Sequence, residues 1–141
     1  MKTLNALVTT KTIVAITSCV IWLTGCATSH KPLSTIKLTK IKTTDGGNCL
    51  VKLDVYNRSP DAWREFQPYM IFRDPQKQIV GEMLANTIRY TEPGRGLSQQ
   101  RIVKNTRCDQ IHEATVLEFT YLDNAGIRYR VNNSRIVMSL D

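Results

Sequence analysis

Residues 35–141 read as an all-β domain, a sandwich of about seven to nine antiparallel strands. Three observations predict it. Apolar and polar residues alternate with a period of two, clearest where Cys49, Val51, Leu53 and Val55 interleave with Leu50, Lys52, Asp54 and Tyr56. Clusters of turn-forming residues recur about every ten residues, the spacing of short strands joined by tight bends. Two cysteines, Cys49 and Cys108, stand in an early strand and just before a late one, where they would staple two sheets or a loop to a sheet.

The elements follow in chain order. The first 25 residues have the parts of a secretory signal: Lys2 and Lys11 with no acidic residue before Cys26, then an apolar run from Ile13 to Leu23. That run is well short of the roughly 20 residues that span a bilayer. Leu23-Thr24-Gly25-Cys26 closes it, and this tetrapeptide resembles the lipobox of bacterial lipoproteins. The resemblance implies that residues 1–25 are removed and that Cys26 carries a diacylglyceryl thioether. It also implies that the freed amine receives a further acyl chain such as palmitate. Two or three chains make attachment effectively permanent, whereas one is marginal. Ala27 stands where Asp would resemble an inner-membrane retention signal, which implies the outer membrane, facing the periplasm. Cys19 lies in the discarded run.

Residues 26–34 are polar around Pro32 and read as a short tether. Ile36 and Leu38 open the first strand, and Ile41 falls one step out of phase, which predicts a bulge. After the strand at Cys49–Val55, Tyr69–Arg73 and Gln78–Leu84 flank a turn at Asp74-Pro75-Gln76-Lys77. Glu92-Pro93-Gly94 marks another turn before Leu97–Lys104, and Gly81–Ile88 is ambiguous between helix and strand. Arg107–Glu113 suits one helical turn. Thr115, Leu117, Phe119 and Tyr121 then share one face, Ile127, Tyr129 and Val131 the next, and Ile136, Met138 and Leu140 end the chain. Turns at Asp123-Asn124-Ala125-Gly126 and Asn132-Asn133-Ser134 make these three consecutive antiparallel strands.

Val55-Tyr56-Asn57, Ile71-Phe72-Arg73-Asp74 with Ile79-Val80-Gly81, and Glu92-Pro93-Gly94 resemble the pattern of immunoglobulin-like domains in bacterial envelope lipoproteins. The likeness covers about Ser34 to Phe119, and the last strands extend beyond it.

Charge and chemistry narrow the function. The formal net charge is +7, and removing Lys2 and Lys11 leaves +5. That permits contact with anionic headgroups or an acidic partner. The cations are scattered and the chain is exported, which argues against nucleic acid. An even pair of cysteines in an oxidising compartment reads as a Cys49–Cys108 disulfide. No further cysteine lies near either one, and His112 cannot complete a four-ligand metal shell. There is no G-x-S-x-G, no H-E-x-x-H and no phosphate-cradling glycine loop, so neither an enzyme nor a cofactor is expected. Asp109, His112 and Glu113 beside Cys108 form a small ionisable cluster that reads as a solvated turn.

The expected role is a lipid-anchored, non-catalytic lipoprotein that binds another envelope protein as an accessory or assembly subunit of a secretion system, pilus or cell-wall machine. Trp63, Arg64 and Phe66, in the segment joining two strands, are the expected contacts, because Trp and Arg are enriched at binding hot spots. The alternative has Trp63 folding back to plug the open end of the sandwich. Tyr129 with Arg128 and Arg130 is the second choice. A periplasmic inhibitor or small-ligand binder is the other reading, with Pro93-Gly94-Arg95-Gly96 as its protruding basic loop.

Overall fold

The computed structural model describes residues 31–141, so the lipobox and Cys26 lie outside the described residues. The strands are β1 (Ser34–Thr43), β2 (Cys49–Asn57), β3 (Trp63–Arg73), β4 (Ile79–Leu84), β5 (Thr87–Thr91), β6 (Gly96–Val103), β7 (Glu113–Leu122), β8 (Arg128–Val131) and β9 (Ile136–Leu140). Gly81–Ile88 therefore resolves into the end of β4 and the start of β5, with a break at Ala85 and Asn86. A 3₁₀ turn at Cys108–Gln110 precedes β7, where one helical turn is expected, and another at Asn133–Arg135 precedes β9.

Three hairpins share one turn chemistry. At Thr44–Asn48, Asp74–Gln78 and Asp123–Ile127, the first residue's side-chain oxygen accepts the backbone N–H of the fifth. The fourth residue is left-handed in each: Gly47, Lys77 and Gly126, with φ of 72°, 65° and 81°. Glycine takes that conformation without penalty, while Lys77 pays the Cβ clash. A type I turn followed by a left-handed residue matches the twist of the flanking strands, so each segment forms a hairpin.

The strands build two sheets. One has the order β6-β2-β1-β9; the other has β4-β3-β7-β8, with β5 also paired to β3. Long β3 takes β4 and β5 on the same side in succession. Pro68 lies where one gives way to the other. Its missing N–H falls in that gap, and its carbonyl accepts the Ala85 N–H at 3.0 Å. The inner faces enclose Ile36, Leu38, Val51, Leu53, Phe72, Val103, Ile111 and Phe119, all without exposed surface.

The bulge expected at Ile41 is present: the β1–β2 register slips between Lys40 and Lys42, and Ile41 faces solvent. The inward parity of Cys49, Val51, Leu53 and Val55 holds. Cys49 and Cys108 are joined, with Cα atoms 4.7 Å apart. The bond ties the β6–β7 connection to β2, helped by Cys108 N–H donating to Thr43 Oγ1 at 3.0 Å and Lys40 Nζ to Ile111 O at 2.9 Å.

Two expectations are corrected. The face Thr115-Leu117-Phe119-Tyr121 is broken, because β7 carries an extra residue against β3 between Val116 and Glu118. Val116 thereby joins Phe119 and Tyr121 inside, and Leu117 turns outward. The last three strands are also not one antiparallel run. β8 pairs antiparallel with β7, but β9 crosses to the other sheet and lies parallel to β1, from Ser34↔Ile136 to Leu38↔Leu140.

Candidate functional site

The chain enters the sandwich at Leu33, whose N–H donates to Arg135 O at 2.8 Å and whose carbonyl accepts the Arg58 N–H at 2.9 Å. Leu33 and Ser34 are buried, so these two residues, expected to end a tether, belong to the folded body. Around this leading end gather the β2–β3 loop, the β5–β6 turn and the β7–β8 turn.

Buried Asn57 organises it. Its Nδ2 donates to Asp61 O at 2.8 Å and Thr91 O at 3.1 Å, and its Oδ1 accepts from Ser59 N at 2.9 Å and Ser59 Oγ at 2.7 Å. The Asn57 backbone N–H donates to Arg95 O at 2.8 Å, and its carbonyl accepts from Gly94 N. Both amide hydrogens and both oxygen lone pairs are thus used, which is what a buried polar side chain requires. Sequence reasoning did not single out Asn57 as an organiser. The available signal was an asparagine ending a strand directly before Arg58-Ser59-Pro60, a residue type that bonds nearby backbone.

The expected contact trio is corrected here. Trp63 and Phe66 are both 0 % exposed and lie in the core, so neither side chain has surface to offer a partner. Trp63 packs against Phe66, Phe119 and Tyr121 at ring-centroid distances of 5.7, 5.3 and 5.6 Å. The indole closes the leading end of the core, and Arg64 alone of the three faces solvent. A strand of strict alternation would put residues 63 and 66 on opposite faces. The β3–β5 register shift between Trp63 and Glu65 marks the irregular start that lets both point inward.

The cluster around Cys108 disperses into separate partners. Cys108 is in the disulfide, Arg107 pairs with Asp109 at 3.2 Å, and Lys77 pairs with Glu113. The Arg107 hydrogen bond holds the Asp109 carboxyl below its ordinary range, and Lys77 does the same for Glu113. Among the described residues no three His, Cys, Asp or Glu side chains are grouped to hold a metal ion.

Tyr129 stacks on Tyr121, with centroids 4.9 Å apart, and a hydrogen bond to Asp123 pushes its phenol pKa up. Arg128 pairs with Glu65 at 3.3 Å and Arg130 with Glu118, so both flanking arginines are held across the sheet. The Pro93-Gly94-Arg95-Gly96 turn is exposed.

Two surface features are left. On the outer face of the first sheet, Lys37, Asp54, Tyr56 and Ser98 line a shallow hollow of about 300 Å³. A hydrogen bond from Ser98 lowers the Asp54 pKa. The second feature is a half-open strand edge. β8 pairs with β7 only over Phe119–Leu122, and among the described residues no strand covers the same edge from Glu113 to Glu118. Beside it, Ala114, Val116, Ile136 and Met138 line a groove of about 370 Å³ between the two sheets. Leu117, 46 % exposed, stands next to it.

No protein-family model matches the chain. No curated protein matches it in sequence. Among solved structures, IrmA from Escherichia coli aligns over 75 % of this chain and 92 % of that one, with TM-score 0.57 and 12 % identity. An exo-β-N-acetylglucosaminidase from Vibrio harveyi aligns over 77 % of this chain and 18 % of its own length, with TM-score 0.47 and 12 % identity. The putative ApaA protein from Bordetella pertussis gives TM-score 0.42 at 14 % identity, over 72 % of this chain and 89 % of its own. At these identities the likeness concerns fold alone, and only that to IrmA is close enough to bear on it.

Proposed function

We propose that this protein is a non-catalytic, lipid-anchored lipoprotein of the outer membrane, facing the periplasm, which holds an extended segment of another envelope protein. Its body belongs in this reading to the immunoglobulin-like sandwiches, with β6-β2-β1 facing β4-β3-β7-β8 and β9 as an addition. Leu23-Thr24-Gly25-Cys26 supports the anchor, and the Cys49–Cys108 bond suits an oxidising compartment. The half-open edge of β7 carries the binding reading. Unpaired backbone N–H and C=O groups at a strand edge are a template for another strand, and adjoining apolar pockets select its alternate side chains. Glu113–Val116 offers such groups, with Val116, Ile136 and Met138 beside them to receive small apolar side chains.

Attachment to a membrane confines both proteins to a thin layer and raises their effective concentration, so a short added strand suffices for occupancy. The test is a photo-activated crosslinker at position 117 in intact cells, with one at position 52 on the outer face of the first sheet as control. A discrete adduct from 117 and none from 52 is expected. Absence of an adduct from 117 overturns the edge reading. Loss of labelled palmitate incorporation on Cys26→Ser tests the anchor separately.

A further inference from the structure

The leading end of the sandwich is where the tether joins, and it is rich in arginine. Arg58 and Arg135 flank Leu33 through backbone hydrogen bonds, and Arg95 is bonded to Asn57 next door. Arg64 and Arg89 line one hollow with Tyr90, and Arg89 and Arg95 line the adjoining one, with the Tyr90 side chain 55 % exposed between them. None of Arg58, Arg64, Arg89 and Arg95 makes an ion pair among the described residues, although Arg58 donates to Thr35 Oγ1 at 2.6 Å and lies over the Tyr56 ring. The carboxylates at this end are Asp61, Glu65, Glu92 and Asp123, and Glu65, which lines the first hollow beside Arg64 and Arg89, is held by Arg128 at 3.3 Å. Asp123 bonds Tyr129 on the β8 side, Asp61 lies near Tyr121 and Tyr129 on that same side, and neither carboxylate lines the Tyr90 hollows. The corner around Tyr90 is therefore cationic, with Glu92 its one unpaired acid among the described residues.

The geometry points to this corner as a membrane-contact surface that docks on anionic phospholipid headgroups of the leaflet holding the anchor. The inference rests on the proposed lipidation of Cys26. Only Ala27 to Pro32 separate Cys26 from Leu33, a span of roughly 25 Å at full extension. A tether of that length keeps the leading end near the bilayer and the opposite end, with the disulfide, away from it. Arginines attract a negatively charged leaflet within about one Debye length, roughly 8 Å at physiological salt. An exposed tyrosine among them suits the headgroup zone, where an amphipathic ring is apolar on its body and wet at its tip. Docked this way, the sandwich stands with the β7 edge to the side, open to a partner in the periplasm.

The experiment uses the full lipidated chain carrying Tyr90→Trp, reconstituted into vesicles of phosphatidylcholine alone or with phosphatidylglycerol. Both contain a headgroup-nitroxide lipid as quencher. Quenching of the introduced indole's emission, above the background of buried Trp63, is expected in the anionic vesicles and not in the neutral ones. It should vanish at 1 M salt, where the Debye length falls to about 3 Å. Changing Arg64, Arg89 and Arg95 to Gln should lower the ratio of docked to undocked chains roughly fivefold per residue while the chain still floats with the vesicles. Equal quenching in neutral and anionic vesicles overturns the docking surface and leaves the anchor intact. A chain that does not float, with no acyl mass on Cys26, overturns the anchor instead.

Discussion

Exchanging Trp63 for Ala should destabilise this protein rather than disarm it. The indole is fully buried against three aromatic rings, so its removal leaves a cavity at the leading end of the core. A buried Trp hides up to about 250 Å². At about 25 cal/mol per Å² that is near 6 kcal/mol, an upper bound because the unfolded chain already hides part of it. Large-to-small core substitutions of this kind cost about 3–5 kcal/mol. At about 2.1 cal/mol/K of unfolding entropy per residue, a domain of this size loses about 4 °C of Tm per kcal/mol. Trp63→Ala should therefore lower Tm by about 12–20 °C. Trp63→Phe should cost much less, since it keeps an aromatic ring and removes an indole N–H with no acceptor among the described residues. Thermal and urea unfolding followed by circular dichroism would measure both. Because Trp63 is the only tryptophan after residue 25, its emission reports burial directly. A Trp63→Ala midpoint within about 3 °C of the parent would refute the argument and return Trp63 to the surface.

Four further outcomes follow from the same structure. Replacing Cys49 and Cys108 together by Ala should cost about 4 kcal/mol on the chain-entropy estimate for a sequence separation of 59, read as a lower urea midpoint. Two free thiols per chain, found by titrating the denatured unreduced protein, would contradict the bond. Gly81→Ala should destabilise by about 1–3 kcal/mol, because a Cβ there would lie 2.4 Å from Thr106 Oγ1, whose hydroxyl donates to Val80 O. An unchanged Tm would exclude that close approach. Asn57→Ala should cost about 2–4 kcal/mol and raise hydrogen exchange in the 58–62 and 92–95 loops together, since it leaves several buried groups unpaired. Exchange rising in one loop only would break the hub. Asp54, whose folded pKa lies below its ordinary value, contributes stability that is present above the unfolded pKa and lost as pH falls through the folded one. Ser98→Ala should move its NMR titration midpoint upward, and a fixed midpoint would remove Ser98 as the main cause.

Much of the body was legible in the chain itself, because its signals are local. Alternation along Cys49–Val55 has one solution once a face is buried, and turns such as Asp74–Gln78 and Asp123–Ile127 carry their geometry in a side-chain oxygen and one left-handed residue. An even pair of cysteines in the folded part of the chain named its own bond. The Thr44–Asn48 turn uses the same chemistry and was not singled out from the sequence, although Gly46-Gly47 carried its signal.

Tertiary structure decided the rest. Every strand offers the same backbone donors and acceptors, so nothing local tells β9 to leave β8 and lie parallel to β1. A single extra residue at Leu117 reverses the parity of half of β7, and only the register against β3 reveals it. Trp63 reads equally well as a contact or a plug, because a large amphipathic ring suits both; the opening between the two sheets is what claimed it. The half-open edge of β7 exists because β8 stops after four residues and β9 crosses away. Such an edge is a property of what neighbours leave uncovered, which no stretch of residues encodes alone.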